Sequence, residues 1–208
     1  MAFEKLLASQ LRKPSGWLGS WVVSRVMNRV NRKIMDSAVE LLDVKPQHQV
    51  LEIGFGGGYA LARLTQLASQ GIVCGVDYSP DMIQKAERRF RRQIAQGRVQ
   101  VQLGNVCKLP FPDGVFDRVS TVNTLYFWTD PSQGIKEIRR VLKNDGMAAV
   151  GIRSKEKMET YAVTKHNFGL FSPEDVVDLM RQAGFREVQV EHRDRDKTYD
   201  QAIIVGRC

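Results

Sequence analysis

The 208 residues are enough for one domain with a sizeable core and leave little room for a second. Hydrophobic residues at 43% and charged residues at 26% exclude a disordered or fibrous chain, and no apolar run approaches the roughly 20 residues of a membrane span. The N-terminus lacks the apolar core and cleavage site of a secretory leader, so a cytoplasmic protein is expected, and the net charge of +8 raises anionic partners.

That charge is concentrated at the start of the chain. Met1 to Lys33 carries Lys5, Arg12, Lys13, Arg25, Arg29, Arg32 and Lys33 against Glu4 alone, and the rest is nearly neutral. Gly16 to Leu42 places Trp17, Leu18, Trp21, Val22, Val26 and Val30 toward one side of a helix, which sets residues 1–44 apart as a basic amphipathic arm before a body of 45–208. In the body, strands are expected at Gln49 to Ile53, Ile72 to Asp77, Val99 to Leu103, Phe116 to Val122, Ala148 to Ile152, Glu187 to Glu191 and Gln201 to Val205. Helices fall between them near Tyr59 to Ala68, Pro80 to Gln96, Pro131 to Leu142 and Pro173 to Ala183. This alternation is that of an α/β doubly wound sheet. Ser79-Pro80, Asp130-Pro131 and Ser172-Pro173 each put a capping side chain before a proline at the first helical position. Asn144-Asp145-Gly146 offers left-handed residues for a tight reversal before the fifth strand. Cys74, Cys107 and Cys208 have no metal-ligand spacing and read as inert thiols.

The strongest local signal is Val50-Leu51-Glu52-Ile53-Gly54-Phe55-Gly56-Gly57-Gly58-Tyr59, a buried strand entering a glycine turn and a helix. Glycine there lets bare backbone approach a ligand over the strand end. A dinucleotide fingerprint needs Gly or Ala five positions after the first glycine, but those positions hold Tyr59 or Leu61, so a nicotinamide cofactor fits poorly. A carboxylate at Glu52 would repel a pyrophosphate and attract an ammonium. Asp77 closes the second strand 19 residues after Gly58, where a carboxylate accepts from both hydroxyls of a ribose. An adenosine joined to an amino acid satisfies both acids.

With Val76-Asp77-Tyr78-Ser79-Pro80-Asp81-Met82, Leu109-Pro110-Phe111-Pro112-Asp113-Gly114-Val115-Phe116-Asp117 and Glu137-Ile138-Arg139-Arg140-Val141-Leu142-Lys143 in order after that loop, the chain from about Val50 onward resembles the class I S-adenosylmethionine-dependent methyltransferases. Within them it is similar to the small-molecule group that includes quinone-biosynthesis enzymes. The resemblance implies a seven-stranded, mostly parallel Rossmann-like sheet of order 3-2-1-4-5-7-6 with the last strand antiparallel. It implies S-adenosylmethionine as cofactor, with Glu52, Gly54, Gly56 and Gly58 around its methionine part and Asp77 on the ribose. Tyr78 and Met82 would line the adenine pocket, and Asn105 and Val106 would meet the adenine edge. The family more often has Asp where this chain has Asn105, and Pro-Gly-Gly where it has Asn144-Asp145-Gly146.

The acceptor is expected beyond the ends of strands 4 and 5. Asn123 is assigned to the cofactor, Tyr126 and Trp128 to the acceptor wall, and Arg153 and Trp21 to acceptor contact. His166, in the connection Arg153 to Phe171, is the best placed base, with Tyr126 beside it among the catalytic candidates. The reaction expected is in-line methyl transfer to a small-molecule nucleophile without a metal, and a non-catalytic binder of the same cofactor is the rival. Three readings of the arm stand open: a lid, a helix packed on the sheet, or a peripheral contact with an anionic membrane. Nucleic acid is not an expected partner, since the body shows no recognisable binding module.

Overall fold

The computed structural model describes residues 31–165, 168–192 and 201–208. Residues 31–41 are helical (α1), and their apolar positions recur at helical spacing: Ile34, Met35, Ala38 and Val39, followed by Leu42, are all buried. These side chains share one core with Val50, Leu61 and Leu64 of the body, so this part of the arm is packed on the sheet. Burying a side chain such as Ile34 or Leu42 contributes about 2 kcal/mol. The carbonyl of Leu42 accepts from Arg118 Nε at 2.7 Å, which ties the end of α1 to the sheet. The arm before residue 31, with Trp21 in it, lies outside the described residues, as does the base candidate His166.

The body alternates strand and helix: β1 (Val50–Ile53), α2 (Tyr59–Leu67), β2 (Val73–Asp77), α3 (Pro80–Arg89), α4 (Arg91–Ala95), β3 (Val99–Leu103), β4 (Phe116–Val122), α5 (Pro131–Val141), β5 (Leu142–Arg153), α6 (Lys155–Glu159), α7 (Pro173–Gln182), β6 (Glu187–His192) and β7 (Gln201–Arg207). The seven strands form one sheet in the order β3-β2-β1-β4-β5-β7-β6. All neighbouring pairs are parallel except those of β7, which runs antiparallel to both β5 and β6. The central strands β1 and β2 are buried along their whole length, their apolar residues interrupted only by Glu52 and closed by Asp77. The chain leaves β1 toward β2 and β3 and then crosses to β4, so the direction of winding reverses between β1 and β4. Ligands of such sheets lie at that crevice, beyond the carboxyl ends of the strands.

Three local readings need correction. The helix expected over Pro80 to Gln96 breaks at Phe90, whose φ of −102° and ψ of 17° leave helical geometry while its ring, 3% exposed, packs beneath Gly58. Asn144-Asp145-Gly146 contains no left-handed residue. Phe116 pairs with Leu142 and Arg118 with Met147, so residues 143–146 bulge opposite Asp117, and Lys143 Nζ reaches Asp117 Oδ1 at 2.8 Å. Ser79 makes no side-chain cap, whereas Asp130 accepts from the Gln133 N–H and Ser172 forms a full capping box with Asp175. Among the described residues no helix is long and apolar enough to cross a membrane.

Candidate cofactor and acceptor site

The site begins where β1 ends. Gly54, Gly56 and Gly58 all sit in the left-handed region, at φ of 69°, 49° and 72°. At Gly54 a Cβ would stand 2.4 Å from Thr124 Cγ2, so β4's exit fits directly against the turn. At Gly56 no described residue lies within 4 Å of that position, which leaves bare backbone facing the crevice above the strand. Thr121 on β4 donates to the Ile53 carbonyl at 3.0 Å and pairs with the Thr124 hydroxyl, locking the two strand ends together. From the other side Arg89 Nη1 donates to the Gly57 carbonyl.

The two acids flank this turn differently. Asp77 is 9% exposed; its Oδ2 accepts from the Gly56 N–H and its Oδ1 from the Ser79 N–H, both at 2.9 Å. Burial pushes its pKa up, and the N–H groups of Ser79, Gly56 and Tyr78 oppose that shift. It therefore braces the glycine turn while keeping acceptor capacity on a carboxylate fixed in orientation. Glu52 is 2% exposed, with Gly75 of β2 and Ser120 of β4 as its strand partners. Burial pushes its pKa up to about 8, tempered by the neighbouring Ser120 hydroxyl. Among the described residues neither Glu52 Oε2 nor Ser120 Oγ makes a hydrogen bond of good geometry, although the two side chains are cross-strand neighbours. A buried carboxyl oxygen without a donor at a strand end has capacity to accept from a ligand docked there.

Tyr78 is largely exposed beside Asp77, and Val106 is 7% exposed in the loop after β3. Asn105 is exposed, and its Oδ1 accepts from the Cys107 N–H at 3.0 Å. These three stand on the loops that follow β2 and β3. Met82 is instead fully buried in the same core as Phe55, Ala86 and Phe90, beneath the turn. Asn123 follows β4 in a left-handed conformation, φ 56°, one of two non-glycine residues with positive φ among those described. Asparagine tolerates this better than most residues, and such strain collects at binding sites.

A family model described as a methyltransferase domain matches residues 51–150. An uncharacterized methyltransferase of Bacillus subtilis, YdaC, is 26% identical over 83% of this chain and 90% of its own length. The ubiquinone/menaquinone biosynthesis C-methyltransferase of Geotalea uraniireducens is 25% identical over 76% of this chain and 75% of that protein. Among solved structures, an S-adenosylmethionine-dependent methyltransferase of Thermotoga maritima, described as a possible histamine N-methyltransferase, is 29% identical with a TM-score of 0.66 over 88% of this chain and 93% of that one. The chain is a class I S-adenosylmethionine-dependent methyltransferase.

Its cofactor is S-adenosylmethionine. The open backbone at Gly56, the oriented Asp77 and the orphaned Glu52 suit the dimensions and charges of that group. At the exits of β4 and β5 in the methyltransferase, Tyr126 is 4% exposed, and its hydroxyl donates to Asn123 Oδ1 at 3.1 Å while accepting the Arg153 N–H. Burial holds this phenol protonated, far above the usual tyrosine range. The hydroxyl is thus a strut between the ends of β4 and β5, a positioning role, and is unsuited to taking a proton. Trp128 is half-buried, with its ring against α5, where a Cβ at Gly134 would stand 2.6 Å from it. Phe127 stacks edge-on with Phe168 at 4.8 Å. Arg153 closes β5, and its Nη2 donates to Asn31 Oδ1 of α1 at 3.1 Å. Tyr59, next to the glycine turn, donates to Asp36 of α1 at 2.9 Å, so the packed part of the arm reaches both halves of the site.

Motif reading misses Thr124, Arg89 and Asn31, whose roles depend on packing against residues far away in the chain, 32 positions for Arg89 and 122 for Asn31. It also misses a clamp on the loop after β3. Arg140 takes both oxygens of Glu137 at 2.7 Å, Asp113 Oδ1 at 2.7 Å and the Phe111 carbonyl at 2.8 Å, while Glu137 accepts the Leu109 N–H at 2.8 Å. Both segments are recognisable as family motifs, but nothing in their spacing says that they meet.

Proposed function

We propose that the enzyme methylates a nucleophilic atom of a small-molecule acceptor by in-line displacement, with the acceptor entering above the ends of β4 and β5. The observation that carries this reading is the pairing of an unmatched, buried Glu52 with an open glycine backbone beside Asp77. When bound, S-adenosylmethionine supplies an activated methyl group on a sulfonium. Glu52 holds the ammonium end, the Gly54–Gly58 backbone lies along the middle, and Asp77 accepts from the ribose hydroxyls. Tyr78, Asn105 and Val106 border the adenine, and Met82 supports that wall from below. Asn123, kept in place by Tyr126, orients the methionine end toward the acceptor.

Because the transferred group leaves a cation, holding donor and acceptor in line supplies much of the rate, and the protein needs no base for an already ionised acceptor. His166 is the base proposed for an acceptor that arrives protonated. Trp128, Phe127 and Phe168 offer an aromatic wall, and Arg153 a cation, to an acceptor with a flat ring and an acidic group. The similarity to the Geotalea quinone C-methyltransferase favours a hydroquinone-like ring as the more specific reading, and a lipophilic tail would suit contact of the arm with an anionic membrane. Incubation with methyl-labelled cofactor and a panel of phenols, hydroquinones, amines and thiols tests this. Transfer to a ring acceptor is expected; tight cofactor binding with transfer to none would favour a non-catalytic binder.

A further inference from the structure

We propose that Glu52 is a proton-exchanging counter-ion: it is neutral in the free enzyme and gives up its proton to solvent as the ammonium end of the cofactor docks. This rests on the reading that the glycine turn holds S-adenosylmethionine. The geometry comes first. Glu52 sits in the middle of a seven-stranded sheet, 2% exposed, two residues before the left-handed Gly54, with one carboxyl oxygen unpartnered among the described residues.

Nothing charged among the described residues neutralises it. Its partners across the sheet are Gly75 and Ser120, and only Ser120 favours the ionised form. By strand alternation Glu52 faces the side of Val50, which packs against α1, α2 and α3. The charges those elements bring near the turn are engaged elsewhere: Asp36 with the Tyr59 hydroxyl and Arg63, Arg32 over the Tyr59 ring, Arg89 on the Gly57 carbonyl. On β2, Asp77 is bound by the N–H groups of Gly56 and Ser79. A carboxyl in this setting stays protonated at neutral pH, with its pKa near 8 through burial. An ammonium brought against it reverses the balance, because an opposite charge in a dry site favours the ionised form. The carboxyl O–H bond breaks, the proton leaves to water, and the ion pair remains.

Two consequences follow by linkage. Binding releases close to one proton below neutral pH, and the dissociation constant falls about tenfold for each pH unit between roughly 5.5 and 7. The test is titration calorimetry of the full chain with S-adenosylhomocysteine at pH 6.5, repeated in phosphate and imidazole buffers, whose ionisation enthalpies differ. At that pH an α-amino group, with a pKa of about 7.7 to 8.0, is itself nearly fully protonated and contributes little. The expected slope is close to one proton released for wild type and close to zero for Glu52→Gln, which imitates the protonated side chain. 5′-Deoxy-5′-methylthioadenosine keeps the nucleoside and sulfur without the ammonium, and should bind with no proton release. Clear binding of S-adenosylhomocysteine with zero slope would overturn the proposal and leave the cofactor reading intact. Release with S-adenosylmethionine but not with S-adenosylhomocysteine would overturn it too, by making the sulfonium the partner. Absence of any S-adenosylhomocysteine binding would overturn the cofactor reading itself.

Discussion

Gly56→Ala separates the two reasons a chain has for placing glycine at a strand end. The residue sits at φ 49° with no described residue within 4 Å of the position a methyl group would take, so in the free protein the expected cost of the substitution is backbone strain. Strain of about 1–2 kcal/mol lowers Tm by roughly 2–8 °C in a chain of this size. That strain is present with and without ligand and drops out of the binding equilibrium. A loss of affinity therefore reports a methyl group standing where the cofactor lies. Overpacking of about 1–3 kcal/mol raises the Kd by about 5- to 150-fold. Gly54→Ala is the contrast, because its Cβ would stand 2.4 Å from Thr124 Cγ2, and its loss of stability should exceed that of Gly56→Ala by about 1–3 kcal/mol. Thermal melts and calorimetry with S-adenosylhomocysteine measure both quantities. An unchanged Kd for Gly56→Ala beside the expected fall in Tm would move the cofactor off this backbone and reduce the loop to a tight turn.

Asp77→Ala should weaken S-adenosylhomocysteine binding by about 1–3 kcal/mol through lost charged acceptor bonds, and an unchanged Kd would remove Asp77 from the site. Tyr126→Phe should keep turnover within a few-fold and cost about 1 kcal/mol of stability, as a strut predicts; loss of turnover by orders of magnitude would make the phenol a base. Because Glu52 binds its proton more tightly folded than unfolded, its stabilising contribution is full below the ordinary carboxyl range and is lost as pH rises toward about 8. Melts of Glu52→Gln and wild type should therefore diverge between pH 5 and 8, by on the order of 3 kcal/mol at pH 7, whereas parallel curves would place the carboxylate in a solvated setting. Arg140→Ala leaves the buried Glu137 unpaired and should cost about 2 kcal/mol, a fall of roughly 4–8 °C in Tm, with little change expected if the clamp is ornamental.

The sheet is legible in the sequence because short strand-forming segments, apolar in the middle of the sheet and alternating at its edges β3 and β6, are bounded by turn residues, and β3 and β4 have the expected limits to the residue. Its strand order comes only through resemblance, since periodicity carries no information about which strands are neighbours. Interruptions escape for a common reason: they answer to tertiary contacts. Phe90 leaves its helix to fill the space beneath Gly58, and residues 143–146 bulge where Asp117 meets Lys143. Gly54, Gly56, Glu52 and Asp77 can be picked out because each chemistry-bearing residue sits beside a strand end that the sequence marks. Thr124, Asn31 and Arg89 cannot, since their partners are brought close only by folding. Met82, placed near the adenine by resemblance, has core residues for its surroundings and lies beneath the turn.

The most direct measurement is a crystal structure of the full chain with S-adenosylhomocysteine. The amino-acid end is expected within hydrogen-bonding distance of Glu52, directly or through one water, with the thioether across Gly56 and both ribose hydroxyls on Asp77. Density for the ligand at any other place, or in this crevice with the ribose turned away from Asp77, would contradict that arrangement.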